Sequence, residues 1–222
     1  MDMDARAQKI SETMRARKLD NFKRWRDAEK KSGLIKSSYR ALKRNGDLAE
    51  LIGVVLGDGH IEKFPRTERL LIFSNSNNPG FVERYKRLVE QTFSKKAYAY
   101  KQSTANCIRI SLYENRISKR LGIPSGARKD LDLQVPKWIL GRKNYIIRYL
   151  RGLYEAEGSH SVHLPTSTYK FIFSNTNQSL LKNVTKLLTV LGLSSHSDPL
   201  RVQISKKAHV ARAIELLEFR KY

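Results

Sequence analysis

Residues 150–160 read LRGLYEAEGSH, an apolar run that ends on two acids, Glu155 and Glu157, and then a glycine. Residues 51–61, LIGVVLGDGHI, are a near-copy in which Asp58 precedes Gly59. A helix C-terminus carries partial negative charge, so a carboxylate there is misplaced unless a cation neutralises it. In each run a small residue recurs four positions on, Gly53 and Gly57 in the first, Gly152 and Ala156 in the second. Residues at that spacing share a helix face, and two such faces packed in parallel bring Asp58 beside Glu157. The backbone carbonyls of Gly57 and Ala156 lie in the same turns. Hard oxygen donors without His or Cys suit Mg²⁺, which takes one or two carboxylates plus substrate phosphate. A single acid before glycine would pass as an ordinary helix end; its duplication on a small-residue seam points to a metal site. Metal-assisted hydrolysis needs no nucleophilic side chain, and no Ser/His/Asp grouping is apparent. His160 and His163 are too isolated for a His–metal site, and DGHIEK lacks the residue an E-x-K pattern needs after Glu62.

The elements that must position these acids follow from periodicity. Asp47 and Glu50 have capping-box spacing at the start of the first apolar helix. Gly59 and Gly158 fit the left-handed position that ends a helix and turns the chain into a strand. LIFSNSN (71–77) then lies over FIFSNTN (171–177). A helical pattern follows each block, then an alternating segment, NCIRISLY or LRVQISKK, and another helix. The expected architecture is mixed α/β (α+β): two pseudo-symmetric αββαββα halves at 47–122 and 143–222. A linker at 123–142 joins them, punctuated by Pro and Gly, with a helical turn at PKWIL. Residues 1–46 hold 14 Lys and Arg against 6 Asp and Glu, with few apolar anchors beyond Phe22 and Trp25. They read as a basic arm, helical in part.

Composition narrows the partner. The 222 residues carry 43 Lys+Arg against 21 Asp+Glu, a net charge of +22. A surplus this large points to a polyanion, and nucleic acid is favoured over a membrane surface because no basic helix has a broad apolar face. One cysteine, Cys107, excludes an internal disulfide framework and a multi-cysteine zinc site. No apolar run approaches a membrane span and no leader pattern opens the chain, so a cytoplasmic, nucleoid or organellar protein is expected, not a secreted one.

LIGVVLGDG and LRGLYEAEG, with VPKWILGRKNYIIRYLRGL ahead of the second, resemble the two motifs of a single-chain LAGLIDADG homing endonuclease across residues 47–222. The resemblance implies two curved antiparallel sheets forming a saddle over duplex DNA. It also implies a monomer that cleaves both strands with Mg²⁺, with Mn²⁺ as a substitute, Asp58 and Glu157 each serving a metal site. Such enzymes order water with a polar residue at the end of the second strand of each half, by motif position Asn77 and Asn177. A later basic residue often assists: Lys206 or Lys207 in the second half, whereas YENR offers only Asn115 or Arg116 in the first. That departure predicts unequal cleavage of the two strands. KISETMRARK (9–18) resembles, more distantly, the modular DNA-binding repeats attached to intron-encoded nucleases. An intein origin is disfavoured, since no splicing segment flanks the endonuclease-like region.

A two-stranded ribbon fits the major groove, and alternate side chains of a strand share a face. Candidate DNA readers in the first half are Lys63, Arg66, Arg69, Ser74, Lys101, Gln102 and Arg109. In the second they are His160, His163, Thr166, Lys170, Arg201 and Gln203. These positions differ between halves, so a long asymmetric target is expected. The rival reading is a binding protein on the same scaffold, an intron-RNA maturase or a DNA-binding regulator. A structural basic protein would explain the charge and not the paired acids.

Overall fold

The structure, a computed structural model, describes residues 3–17, 22–34, 39–103 and 105–222. The chain divides into two compact units, residues 1–40 and 41–222. The first contains helices α1 (Met3–Ala16) and α2 (Lys23–Lys31). Lys30 and Lys31 sit in the last turn of α2, where cations suit the helix dipole. Phe22 and Trp25, the expected anchors, are exposed. Residues 18–21 and 35–38 of the arm, including the last residue of KISETMRARK, lie outside the described residues. The boundary expected after residue 46 falls inside the second unit, because Leu42 is buried in its core. No described helix is long and apolar enough to cross a membrane.

The second unit runs α3 (Gly46–Asp58), β1 (Gly59–Lys63), β2 (Glu68–Asn75), α4 (Pro79–Phe93), β3 (Tyr98–Lys101), β4 (Cys107–Glu114), α5 (Ile117–Leu121). After the linker turn α6 (Lys137–Leu140) the order repeats: α7 (Lys143–Glu157), β5 (Gly158–His163), β6 (Thr168–Ser174), α8 (Gln178–Val190), β7 (His196–Asp198), β8 (Arg201–Ile204), α9 (Lys207–Leu217). Each half holds one antiparallel sheet, ordered β1-β2-β4-β3 and β5-β6-β8-β7. Each sheet buries one face: Ile61, Leu70, Ile72, Ile110 and Leu112 in the first, Phe171, Phe173, Val202 and Ile204 in the second.

The small residues have the purpose their spacing predicts. α3 packs along α7, and a Cβ on Gly53 would stand 2.2 Å from Tyr149 O, one on Gly152 2.1 Å from Glu50 O. The helices touch backbone to backbone, in parallel. Gly57 meets Ala156 at the acid end, where an added Cβ would lie 2.5 Å from the alanine Cβ.

Three local expectations are corrected. The capping box does not form: Asn45 caps α3, its side chain accepting from Leu48 N at 2.9 Å. Asp47 lies within the first turn and pairs with Arg148, while Glu50 is buried against Arg84 and Arg148. Gly59 and Gly158 are extended, with φ −96° and −87°, not left-handed. Glycine is needed there for closeness: a Cβ would lie 2.5 Å from Val55 Cα at the first site and 2.2 Å from Tyr154 O at the second.

The third correction concerns the FSN blocks. Matching their letters pairs Ile72 with Ile172, yet Ile72 is buried in the core and Ile172 lies on the opposite face. The structural equivalents are Leu70 with Phe171 and Ile72 with Phe173, because Gly59 pairs with Ile72 and Gly158 with Phe173. These strands are offset by one residue more than the letters suggest, whereas the acids Asp58 and Glu157 and the helix caps Asn78 and Asn177 are offset by one residue less. A one-residue slip moves every side chain of a strand to the other face. The core chose the register, not the repeated letters.

Candidate active site

Asp58 and Glu157 end the two seam helices, and a Cβ on Gly57 would stand 3.1 Å from Glu157 Cγ. The acid-bearing turns are therefore in contact. Both acids are half-buried. Burial first, and then the charge of Glu157, push the Asp58 carboxyl from 3.8 up to about 7. Burial raises Glu157 as well. Neither acid has an ion pair with a described basic residue, so the repulsion is left uncompensated by the chain. Gly57 and Ala156 lie at the same end of the seam. No group of three or more His, Cys, Asp or Glu converges among the described residues. A pair of hard carboxylates without a third ligand side chain fits a divalent cation that keeps waters and takes substrate oxygens.

Glu155, the other acid of the second motif, faces a different task. It is 4% exposed and accepts from Tyr222 Oη and from Arg220 N at 2.6 Å. It ties the C-terminal residues to α7.

The structure gives the expected water-ordering pair other tasks. Asn177 is buried and caps α8 through Leu180 N, and its amide nitrogen donates to the carbonyls of Arg128, Lys129 and Leu131 at 2.8, 3.0 and 2.8 Å. Its two N–H groups are committed to the linker, so it has none for water. Asn77 is exposed, and its backbone N–H donates to Asn75 Oδ1. The residue that reaches an acid is Asn175, whose Nδ2 lies 3.4 Å from Glu157 Oε1. It is the last residue of the second FSN block, so the repeated letters held it in view. Lys206 is the N-cap of α9, as Arg116 is of α5. Lys207 Nζ lies 5.2 Å over the Tyr169 ring. Asn115 donates through its backbone to Glu114.

The sheet faces opposite the core sort the candidate readers. Arg69 and Arg109 lie on this face in the first half, as do Lys170, Arg201, Gln203 and His163 in the second, each out of phase with the core residues of its strand. Lys63, Ser74 and Lys101 are in phase with the core and end up at strand rims. His160 pairs with Phe171 and packs edge-on to its ring at 6.4 Å, so it too lies on the core side. Arg66, Gln102 and Thr166 occupy the hairpin turns. Arg69 is held by Glu62 and by Tyr113 Oη at 2.9 Å, with its guanidinium 5.5 Å from the Phe64 and Tyr113 rings. The exposed aromatics Tyr98, Tyr100 and Tyr113 share that face. They were not singled out from the sequence, although their alternation was readable there.

One contributor was invisible in the sequence. Arg128, in the linker, donates to Val55 O at 2.9 Å and to Gly59 O. It meets the carbonyls at the C-terminus of α3, where cations are favourable.

The family model of a LAGLIDADG-like domain matches residues 144–218. No curated protein sequence matches the chain. Among solved structures, the chain is similar to a mesophilic variant of the homing endonuclease I-DmoI, at 18% identity over 78% of this chain and 94% of that one, with TM-score 0.56. I-DmoI in complex with DNA and Mn matches at 18% identity, 78% and 96% coverage, and TM-score 0.55. Full-length DUF199/WhiA from Thermatoga maritima matches at 14% identity, over 85% of this chain and 60% of that one, with TM-score 0.57. With the family model on its second half and the similar fold along most of its length, the chain carries a LAGLIDADG-like domain at residues 144–218 within a two-motif LAGLIDADG fold.

Proposed function

We propose that the chain is a site-specific endonuclease that hydrolyses both strands of a long asymmetric DNA duplex with Mg²⁺ and leaves staggered ends. The observation that carries this reading is the uncompensated pair Asp58 and Glu157, held together by a backbone-to-backbone helix seam in a chain of net charge +22. A protein that only bound nucleic acid would have no use for two adjacent half-buried carboxylates, whose repulsion costs stability. The I-DmoI structures determined with DNA and Mn, and with target DNA and Mg, support the same chemistry.

Bound Mg²⁺ supplies a lowered pKa for the attacking water and neutralises charge on the phosphate and the leaving oxygen. Asp58 and Glu157 would hold it, and Mn²⁺ would replace it. Asn175 orients the Glu157 carboxylate. The seam keeps both acids in place because neither helix can slide without driving Gly53 or Gly152 into the opposing backbone. Arg69, Arg109, Lys170, Arg201 and Gln203 offer hydrogen bonds to base edges, and the remaining Lys and Arg meet phosphates. The protein acts as a monomer inside the cell or organelle, and its basic arm adds accessory DNA contact.

Cleavage selection tests this. Randomised duplexes, or host fragments lacking the insertion, are incubated with protein in Mg²⁺, with Ca²⁺, Asp58→Asn and Glu157→Gln as controls. Discrete staggered ends that need Mg²⁺ and both acids are expected. Tight binding of recovered sites without cutting would sink the nuclease. It would favour the second reading, a DNA-binding regulator or an intron-RNA maturase, to which the WhiA likeness lends weight by showing that this fold is not confined to proteins described as endonucleases.

A further inference from the structure

Beside the acid pair lies a cavity of about 220 Å³ whose side chains include Leu56, His60, Arg128, Lys129, Asn175 and Thr176. No carboxylate lines it. Leu56 and His60 flank Asp58 along the chain, and Asn175 reaches Glu157, so the cavity adjoins the candidate active site. Arg128 is its unusual member. One guanidinium nitrogen, Nη2, is taken by Val55 O and Gly59 O, while the other, Nη1, is buried without a hydrogen-bond partner. No described carboxylate pairs with it, and burial lowers its pKa. A cation withdrawn from water without an anion or a full set of acceptors is costly. The cradle is also rigid. Asn177 clamps the carbonyls of Arg128 and Lys129 from the second half, and Gly126 N donates to Ile61 O of the first at 3.0 Å. Lys129 and Thr176 are exposed at the cavity and leave it open to a polymer.

We propose that this cavity seats one backbone phosphate of the bound duplex, with Lys129 donating to its non-bridging oxygens and the Arg128 guanidinium turning its buried Nη1 to donate beside it. The linker thereby fixes the register of a strand beside Asp58 and Glu157. The ligand is a phosphate diester because the donors are cationic, the lining lacks acid, and the whole chain is built for a polyanion. The inference rests on the duplex-binding reading above. It makes Arg128 a positioning residue contributed by neither repeated half.

Two measurements on the full chain test it. Inorganic phosphate is titrated into wild type, Arg128→Met and Thr176→Glu, the last placing an anion at the mouth without touching Arg128's carbonyl bonds. Saturable binding that weakens at least about fivefold in both variants is expected, from loss of a charge-assisted contact. In Ca²⁺, single methylphosphonates are then walked through a selected duplex. One position should cost wild type about three- to tenfold in affinity and cost Arg128→Met nothing, and the salt slope of that variant should fall by about 0.9. Phosphate binding that is absent, or indifferent to both substitutions, overturns the proposal. So does a scan in which every position costs wild type and Arg128→Met alike. Failure of the two readings is distinguishable: Arg128-dependent phosphate binding with no duplex binding sinks the duplex, whereas duplex binding with no such phosphate sinks the cavity alone.

Discussion

Glu155 and Glu157 are separated by one residue and differ in every physical respect that matters. Glu157 shares its end of the seam with Asp58; Glu155 is enclosed by Tyr222 and the Arg220 backbone. Glu155→Gln is expected to lower the melting temperature while leaving cleavage per folded molecule within about twofold, since it keeps the shape and loses a charge-assisted acceptor. Glu157→Gln should do the reverse. Asp58 allows a sharper test. Its folded pKa of about 7 lies above the 3.8 of an exposed aspartate, so between those pH values the folded chain holds a proton that the unfolded chain has released. Stability must then fall as pH rises through that window, and divalent cation binding must strengthen as the proton leaves. In EDTA, Asp58→Asn should melt higher than wild type at pH 8, the gap closing at pH 5. An equal gap at both pH values would contradict the pairing.

At the scale of elements, the seam between α3 and α7 is the most demanding contact. Gly53→Ala and Gly152→Ala drive a methyl into a backbone carbonyl, which no rotamer change relieves. Each should cost roughly 1–3 kcal/mol or prevent folding, read by urea unfolding. Gly59 distinguishes two explanations of a glycine. Asparagine tolerates a left-handed backbone, so Gly59→Asn would be mild if conformation were the reason. Because the backbone there is extended and Val55 is the obstacle, Gly59→Asn should destabilise at least as much as Gly59→Ala. The buried Glu50, bracketed by Arg84 and Arg148 with Arg151 near, joins α3, α4 and α7 at the other end of the seam. Breaking one partner there leaves uncompensated charge.

For the whole molecule, the charge and the division into units set expectations. Residues 41–222 form one compact unit with the core described here. Expressed alone, they should fold and cut at the same position as the full chain. Their affinity should depend less steeply on salt, each lost phosphate contact flattening the slope by about 0.9. A changed cut position would mean that the arm selects the site and does not merely add contact. The faces of the two sheets opposite the core carry different side chains, Arg69 and its aromatic neighbours against Lys170, Arg201 and Gln203, as the asymmetric target of the proposed function requires.

The sequence by itself determined the polyanion-seeking charge, the duplicated acid-ending helices, the small-residue seam and the order of elements in each half. These are local or repeated properties: periodicity, composition and i,i+4 spacing are all carried by neighbouring residues. It misled where letters repeat but packing does not. FSN occurs twice, yet the core requirement for Ile72 in one half and Phe173 in the other sets the strands one residue out of phase. The polar residue near Glu157 is Asn175, and Asn177, two residues on, is taken by the start of α8. Only the tertiary structure decided that Asn45 caps α3, that closeness and not a left-handed turn demands Gly59, and that Arg128 returns from the linker to carbonyls 73 residues behind it. Such contacts join segments distant in sequence, and their partners are chosen by the shape of the packed core, which no window of residues contains.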